Sequence, residues 1–555
     1  MISSLDALAD RYVDEMAALD PCLAAMMGIA GQDDRLTDYS PDGEAARTDL
    51  ARRTLAALDK TPLDGTDRER VAAGVLRDRL ETDIALADAG VRDTTLDTTD
   101  GPVQRLRQAV ELLDHGPATH WDAVLARLTA FPRALAGLTT SLTAARDRGQ
   151  LPARRQIERN LEVCRTAPAY LTGLADRYAR HHGGPLTEPL QHAARAAAAA
   201  LHDLARHLQT ETAPHTPTRD ALGRDRYTLG ARDNLGTTPD LEETYAWGWT
   251  ELARIETAMA DEAARIRPGA PVAEVIAALD TDPAHRVTGA EAFRRHLQDL
   301  ADQAIDDLDG THFTIPEPLR TIDCRIPPVP SGIYYLAPAE DLSRPGTVWW
   351  TVPAPDAEMI TWTVPATMYH EGVPGHHLQL GATTLNTTTL NRFQRTSSEL
   401  HPGHCEGWGL YAERLMDELG YYRTPAHRLG MLAGGQQLRA ARVVLDIGMH
   451  LELPIPPGTG FHEGERWTPD LGREFLTLHG GAMTLAEVAY EIDRYLGRPG
   501  QAIAYKLGER IWLDARDTAR RRDGAAFDLK AFHQHALDLG PMGLDRLRAE
   551  LTQPA

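Results

Sequence analysis

The chain has 555 residues and a net charge of −22, long enough for a large core and too long for one compact core of ordinary size. Its 42% hydrophobic and 25% charged content is that of a globular protein, and the acidic balance repels a phosphate backbone, which argues against nucleic-acid binding. Cys22, Cys164, Cys324 and Cys405 form no CxxC pair, which argues against a disulfide framework or a cysteine-rich zinc site.

The opening MISSLDALADRYVDEM has no basic segment followed by a long apolar run, so it reads as a helix and not as a signal peptide. No stretch approaches the roughly 20 apolar residues of a membrane span, and a cytoplasmic enzyme is expected. Residues 1–312 are helix-patterned throughout. LARRTLAALDK, HWDAVLARLTAFPRALAGLTTSLTAAR and PDLEETYAWGWTELARIETAMADEAARI place apolar residues three and four apart, and Thr238-Pro239-Asp240 marks a helix start. The alanine run at 193–201 also reads as helix, and no fixed-period repeat supports a solenoid. Texture changes at 313–366. Pro-rich FTIPEPLRTIDCRIPPVPSG gives way to IYYLAP, TVWWTVP and MITWTVP, which predict short strands. Residues 367–555 return to a helical pattern, except LPIPPGTGFHEGERWTP at 453–469, which predicts a loop over a site or surface. The fold class expected is mainly α with a small β element and a catalytic region in the C-terminal half.

Residues 369–377 read Tyr-His-Glu-Gly-Val-Pro-Gly-His-His. Neutral imidazole is a common zinc ligand, and a carboxylate beside a metal is a ready general base. The zinc-protease helix has His-Glu-x-x-His with both ligands one turn apart; here position 374 is proline. In a straight helix His376 would lie about 9 Å along the axis from His370 and roughly 120° around it, and His377 about 10.5 Å along. The segment must therefore bend to bind a metal, and Gly372, Pro374 and Gly375 supply the means. Spacing leaves two readings: a bent metal-binding segment, or a helix-ending turn with three unrelated histidines.

Downstream, SSELHPGHCEGWGLYAERL spaces Glu399, Glu406 and Glu413 seven apart. Pro402-Gly403 predicts a helix starting near His404, with Glu406 in its first turn and Glu413 two turns on. Either carboxylate could be a third ligand, or be solvated or paired with Arg414. His401 and His404 are loop histidines or rival ligands. RAARVVLDIGMH puts Asp446 and His450 four apart on one face, and EIDRYLGRPGQAIAYKLG holds Glu491, Arg494, Tyr495, Tyr505 and Lys506. A phenol or imidazole there could bind an oxyanion, a cation could hold a carboxylate, or each could be structural. The chain's basic residues are otherwise arginine except for Lys60 and Lys530, so Lys506 was not the default choice.

The ordered set HEGVPGHH, EGWGLYAERL, LDIGMH and RYLGRPGQAIAYKLG resembles the bacterial domain-of-unknown-function family 885. LGRDRYTLGARDNLGTTPDLEETYAWGWTELARI and SGIYYLAPAEDLSRPGTVWW extend the resemblance over nearly the whole chain. The resemblance implies a zincin-like, multi-helical metallopeptidase fold beside a small sheet, with the site in a deep channel between helical halves. It implies His370, His376 and Glu406 as metal ligands and Glu371 as general base. His376 is preferred over His377 because the family pattern fixes the first histidine of the pair. Tyr505 is implied as a transition-state phenol. His450, Arg494, Tyr495 and Lys506 are implied as groups on the substrate side of the site or behind it.

The function expected is a zinc-dependent hydrolase of a peptide or other amide bond, with one zinc per chain and a small-molecule or short-peptide substrate. It is expected to be a monomer or homodimer with no nucleic-acid or membrane partner. The alternatives are a metal-dependent tailoring enzyme (lyase, transferase or cyclase) and a non-catalytic binding protein. A di-iron enzyme would need two Glu-x-x-His motifs on separate helices, which these segments lack.

Overall fold

Amphipathic helices build most of the chain, and the computed structural model describes residues 3–92, 96–114, 120–327, 332–342, 344–481 and 483–553. They gather into two compact units. One is Met1–Leu229 with Asn391–Phe393 and Tyr490–Pro499; the other is Gly230–Leu390 with Gln394–Ala489 and Gly500–Ala555. The texture of the sequence changes at 312 and 366, whereas the packing divides elsewhere. Composition follows element type; compactness follows which apolar faces meet.

In the first unit, helices start where a short polar side chain can cap them. Ser3, Ser40 and Thr66 each accept from the backbone N–H three residues on. The helices Trp121–Asp147, Arg154–His181 and Thr187–His207 pack around Leu128, Leu135, Leu171, Leu174, Leu201 and Leu204, all buried. The alanine run lies in the third of these helices, and Ala193, Ala194 and Ala197 form part of its buried face. Side chains this short let helix axes approach closely.

Ion pairs tie the returning segment 490–499 to this unit. Asp100 accepts from Arg105 at 2.8 Å and pairs with Arg498 at 3.3 Å. Burial alone would raise the Asp100 carboxyl, but the Arg105 and Arg498 charges outweigh it and hold the group at about 2. A carboxylate depressed on folding adds stability above its unfolded value of about 3.9, and this is lost as pH falls through the folded value. Asp100→Asn should therefore destabilise the chain by roughly 1–3 kcal/mol at pH 7 in urea titrations. The gap from wild type should narrow between about pH 4 and pH 2, and a gap independent of pH would remove the charge argument.

In the second unit Asp240 caps the helix Leu241–Ile266 through the Glu243 N–H at 2.9 Å, as the Thr238-Pro239-Asp240 signal predicts. Strand β1, Arg286–Thr288, pairs antiparallel with β5, Glu358–Ile360. In the second sheet β2, Asp323–Arg325, runs parallel to β4, Thr347–Trp350, which pairs antiparallel with β3, Ile333–Leu336. Strands β3 and β4 lie in the first two β-patterned segments, while β5 overlaps MITWTVP only at Met359 and Ile360, because the chain turns there into the helix Val364–Glu371. β1 and β2 were not anticipated: each is three residues long and takes its pairing from a distant strand, so its own sequence carries little signal. Residues 328–331, at the end of the Pro-rich stretch, lie outside the described residues.

The turn-rich stretch 453–469 is a loop, as expected. It is pinned by a bridge between Pro454 and Arg466, and by Trp467, whose indole donates to the Tyr245 hydroxyl at 2.7 Å. Helix Pro402–Glu418 starts two residues before His404, with proline in its first turn, where a missing N–H costs nothing. It lies against helix Ala504–Asp523 with the backbones touching: a Cβ on Gly407 would stand 2.4 Å from the Gly508 Cα. Among the described residues no helix is long and apolar enough to cross a membrane.

Candidate metal centre

His370 lies in the last turn of the helix Val364–Glu371, and His376 opens the helix His376–Leu385. The Gly372 N–H still reaches the Met368 carbonyl at 2.8 Å, and there the first helix ends. A Cβ on Gly375 would stand 1.9 Å from the His370 carbonyl oxygen, so this approach is open only to glycine. The Trp408 indole donates to the Pro374 carbonyl at 2.8 Å and pins the bend to the Pro402–Glu418 helix. The two imidazoles end 4.7 Å apart, edge to face, where a straight helix would have separated them by about 9 Å along its axis.

Glu406 completes the cluster. Its Oε2 stands 3.3 Å from His370 Nε2 and 3.5 Å from His376 Nε2, and the three donor atoms lie within 4.8 Å of one another. Two imidazoles and one carboxylate are the donor set of many catalytic zinc sites. Donors around a tetrahedral zinc, with bonds of about 2.0–2.2 Å, are themselves about 3.3–3.5 Å apart, so the two spacings from Glu406 fit.

Behind His370 stands Glu413, also buried, with Oε1 2.8 Å from His370 Nδ1. A carboxylate there takes the Nδ1–H and turns the Nε2 lone pair toward Glu406 and His376. Glu406 and Glu413 share one helix face, as their spacing predicted. Gly409 lies between them and leaves room for the ring: a Cβ there would meet His370 Nε2 at 2.6 Å. Burial alone would lower the His370 pKa. The hydrogen bonds to Glu406 and Glu413, with the charges of Glu413 and Glu371, overcome it and hold the imidazole at about 10. The field at this point favours positive charge, which a divalent cation would satisfy as a proton does. Burial would likewise raise the Glu406 carboxyl, but its bonds to His370 and His376 push it well below the usual range.

The neighbouring histidines are engaged elsewhere. His377 accepts at Nδ1 from the Tyr335 hydroxyl and donates from Nε2 to the Leu319 carbonyl, both at 2.9 Å. Burial holds it down at about 4 against the Leu319 bond, so it stays neutral with both nitrogens committed. His404 accepts from the Gln379 amide at 3.0 Å, and burial lowers it to about 3. His376 Nδ1, by contrast, is buried with no hydrogen-bond partner among the described residues.

Glu371 is buried at the end of its helix, and its charge acts on both His370 and Tyr335. The Tyr505 ring stacks on His370 with centroids 6.3 Å apart. The guanidiniums of Arg442 and Arg439 lie 5.0 Å and 5.4 Å from the Tyr505 ring centre. These two arginines and the Glu413 partnership were not anticipated, although RAARVVLDIGMH shows the arginines three apart on one helix face. The structure does not offer Lys506 to a substrate. It is fully buried, and its ammonium reaches Glu251 at 2.9 Å, Gln436 at 2.5 Å and Glu509 at 2.6 Å, which uses all three N–H donors. His450 is buried with Nε2 3.9 Å from Asp446, whose other oxygen accepts from the Gly500 N–H at 2.9 Å. Arg494 and Tyr495 belong to the first unit, and both bind Glu491, at 3.1 Å and 2.5 Å.

Two solved structures share this fold. One, from Colwellia psychrerythraea and described as a "putative lipoprotein", matches with a TM-score of 0.79 at 22% identity over 99% of both chains. The other, from Shewanella oneidensis and described as a "putative lipoprotein of unknown function", matches with a TM-score of 0.74 at 17% identity over 99% of this chain and 100% of that one. No curated protein matches the chain. The match that reaches beyond fold is to a family model, and it spans residues 21–551: the chain belongs to the bacterial proteins of unknown function grouped as DUF885.

Proposed function

We propose that the chain is a zinc-dependent hydrolase of zincin-like architecture that cleaves a peptide or other amide bond in a small substrate. One observation carries this reading: His370, His376 and Glu406 converge from three helices, the first two joined by a bend, with Glu413 fixing the first imidazole and Glu371 beside it. When bound, zinc supplies Lewis acidity and makes water acidic near neutral pH. Glu371 takes the proton of the attacking water and returns it to the leaving nitrogen. Tyr505 donates its hydroxyl to the oxygen that gains charge, from a ring held against His370.

Elemental analysis of the purified chain tests this. About one zinc per chain is expected, as three protein donors with one open position bind. His370→Ala and Glu406→Ala should lose most of it, and His377→Ala should keep it. Full retention in the first two variants would sink the ligand assignment. The lipoprotein description of both structural relatives favours an exported or anchored setting over the cytoplasmic one expected from the sequence. Fractionation of the native host decides between them: recovery with the soluble cytoplasm would return the first expectation.

A further inference from the structure

Deepening this hydrolase reading, and resting on it for the reaction, we propose that Arg439 forms a carboxylate-binding subsite beside Tyr505. The natural substrate is then a short acylated amino acid or peptide with a free carboxylate. Arg439 and Arg442 both project from helix Leu438–Leu451 onto one aromatic ring, and that ring stacks on a candidate metal ligand. Stacking on an aromatic face holds a guanidinium in position and keeps its N–H donors in its own plane, aimed at whatever lies beside the ring. That is the presentation a carboxylate accepts in a bidentate manner.

The surroundings of Arg439 point the same way. The chain has 80 acidic residues, yet Arg439 has no carboxylate at ion-pair distance among the described residues. It donates one Nη1 bond to the Gly434 carbonyl at 2.6 Å, and its Nε is buried with no acceptor. A half-buried cation with an unused donor costs stability unless an anion meets it. Lys506, the other cation in this region, already holds three acceptors and cannot serve. The Tyr505 ring centre stands 6.3 Å from the His370 ring and 5.4 Å from the Arg439 guanidinium, a span that suits one to three extended residues at about 3.3–3.6 Å each.

The test uses the full-length, zinc-loaded Glu371→Gln chain, in which hydrolysis does not disturb binding. The probes are N-acetylated dipeptides, each as the free acid and as the carboxamide, titrated by calorimetry. At least one acid should bind about tenfold or more tightly than its amide, the scale of a charge-assisted bidentate contact. Arg439→Gln should remove most of that preference and leave the amide affinity unchanged. Equal affinity for acid and amide, no binding of any acid, or equal loss of both in Arg439→Gln would overturn the subsite. Turnover of the same acids by the wild-type chain is read separately. Acid-selective binding without hydrolysis keeps the subsite and removes the hydrolase. Hydrolysis without acid preference does the reverse.

Discussion

Glu371→Gln should leave zinc content and fold intact while turnover falls by about 10²-fold or more, the usual scale for a lost general base. Glutamine keeps the size and one hydrogen-bonding oxygen but cannot take up a proton. The loss should appear in kcat and not mainly in KM, because the proton moves only on the way to the transition state. The substrate for this assay is whichever short peptide or aryl amide the wild-type chain hydrolyses in a screen. Two features make the variant a clean test. Glu371 is no member of the three-donor cluster, so its loss removes no donor. It also lies at a helix end that is fixed on the other side by the Trp408–Pro374 bond, so the bend survives the substitution. Near-normal kcat in a zinc-loaded Glu371→Gln chain would exclude the hydrolytic mechanism and leave the metal structural or committed to other chemistry.

How much of this was legible in the sequence depends on how local each signal is. The mainly helical class, the strands in IYYLAP and TVWWTVP, and the loop at 453–469 all rest on short-range patterns and form as expected, whereas MITWTVP gives a strand only at its first two residues before a helix begins. The bend between His370 and His376 was legible for the same reason, since glycine and proline act on their own neighbours. The approach of the Gly375 backbone to the His370 carbonyl is the physical content of that signal. Partnerships across elements were not legible. Lys506 looked like a substrate cation because its acceptors Glu251 and Gln436 come from segments 255 and 70 residues away. The commitment of His377 depends on Tyr335, 42 residues off, and on the Leu319 carbonyl, 58 residues off. Arg439 and Arg442 could have been found. They sit three apart in a motif already singled out for Asp446 and His450, on one helix face.

The sequence alone leaves Glu413 and Glu406 as alternative third ligands, and the place of Glu413 in the structure predicts a different phenotype from that of Glu406. Glu413→Gln should lower zinc affinity by about 10- to 100-fold, the range seen when the partner of a ligating histidine is lost, without abolishing binding. Glu406→Ala should abolish it. The reason lies in the geometry. Glu413 Oε1 is 2.8 Å from His370 Nδ1, the nitrogen that faces away from the other donors, so it orients the ring and supplies electron density without touching the metal position. A neutral amide still accepts the Nδ1–H, but it removes one of the negative charges that, with Glu406 and Glu371, hold His370 at about 10. Position 435 offers a second test that leaves the carboxylate in place. A Cβ on Gly435 would stand 2.0 Å from Glu413 Oε2, so Gly435→Ala must shift that carboxylate and disturb its bond to His370. If Glu413 acts by positioning His370, Gly435→Ala should reproduce most of the affinity loss in a chelator-competition titration while His376 and Glu406 still bind. Wild-type zinc affinity in Glu413→Gln would remove its positioning role, and complete loss of zinc in it alongside full retention in Glu406→Ala would show that the two glutamates had been assigned the wrong way round.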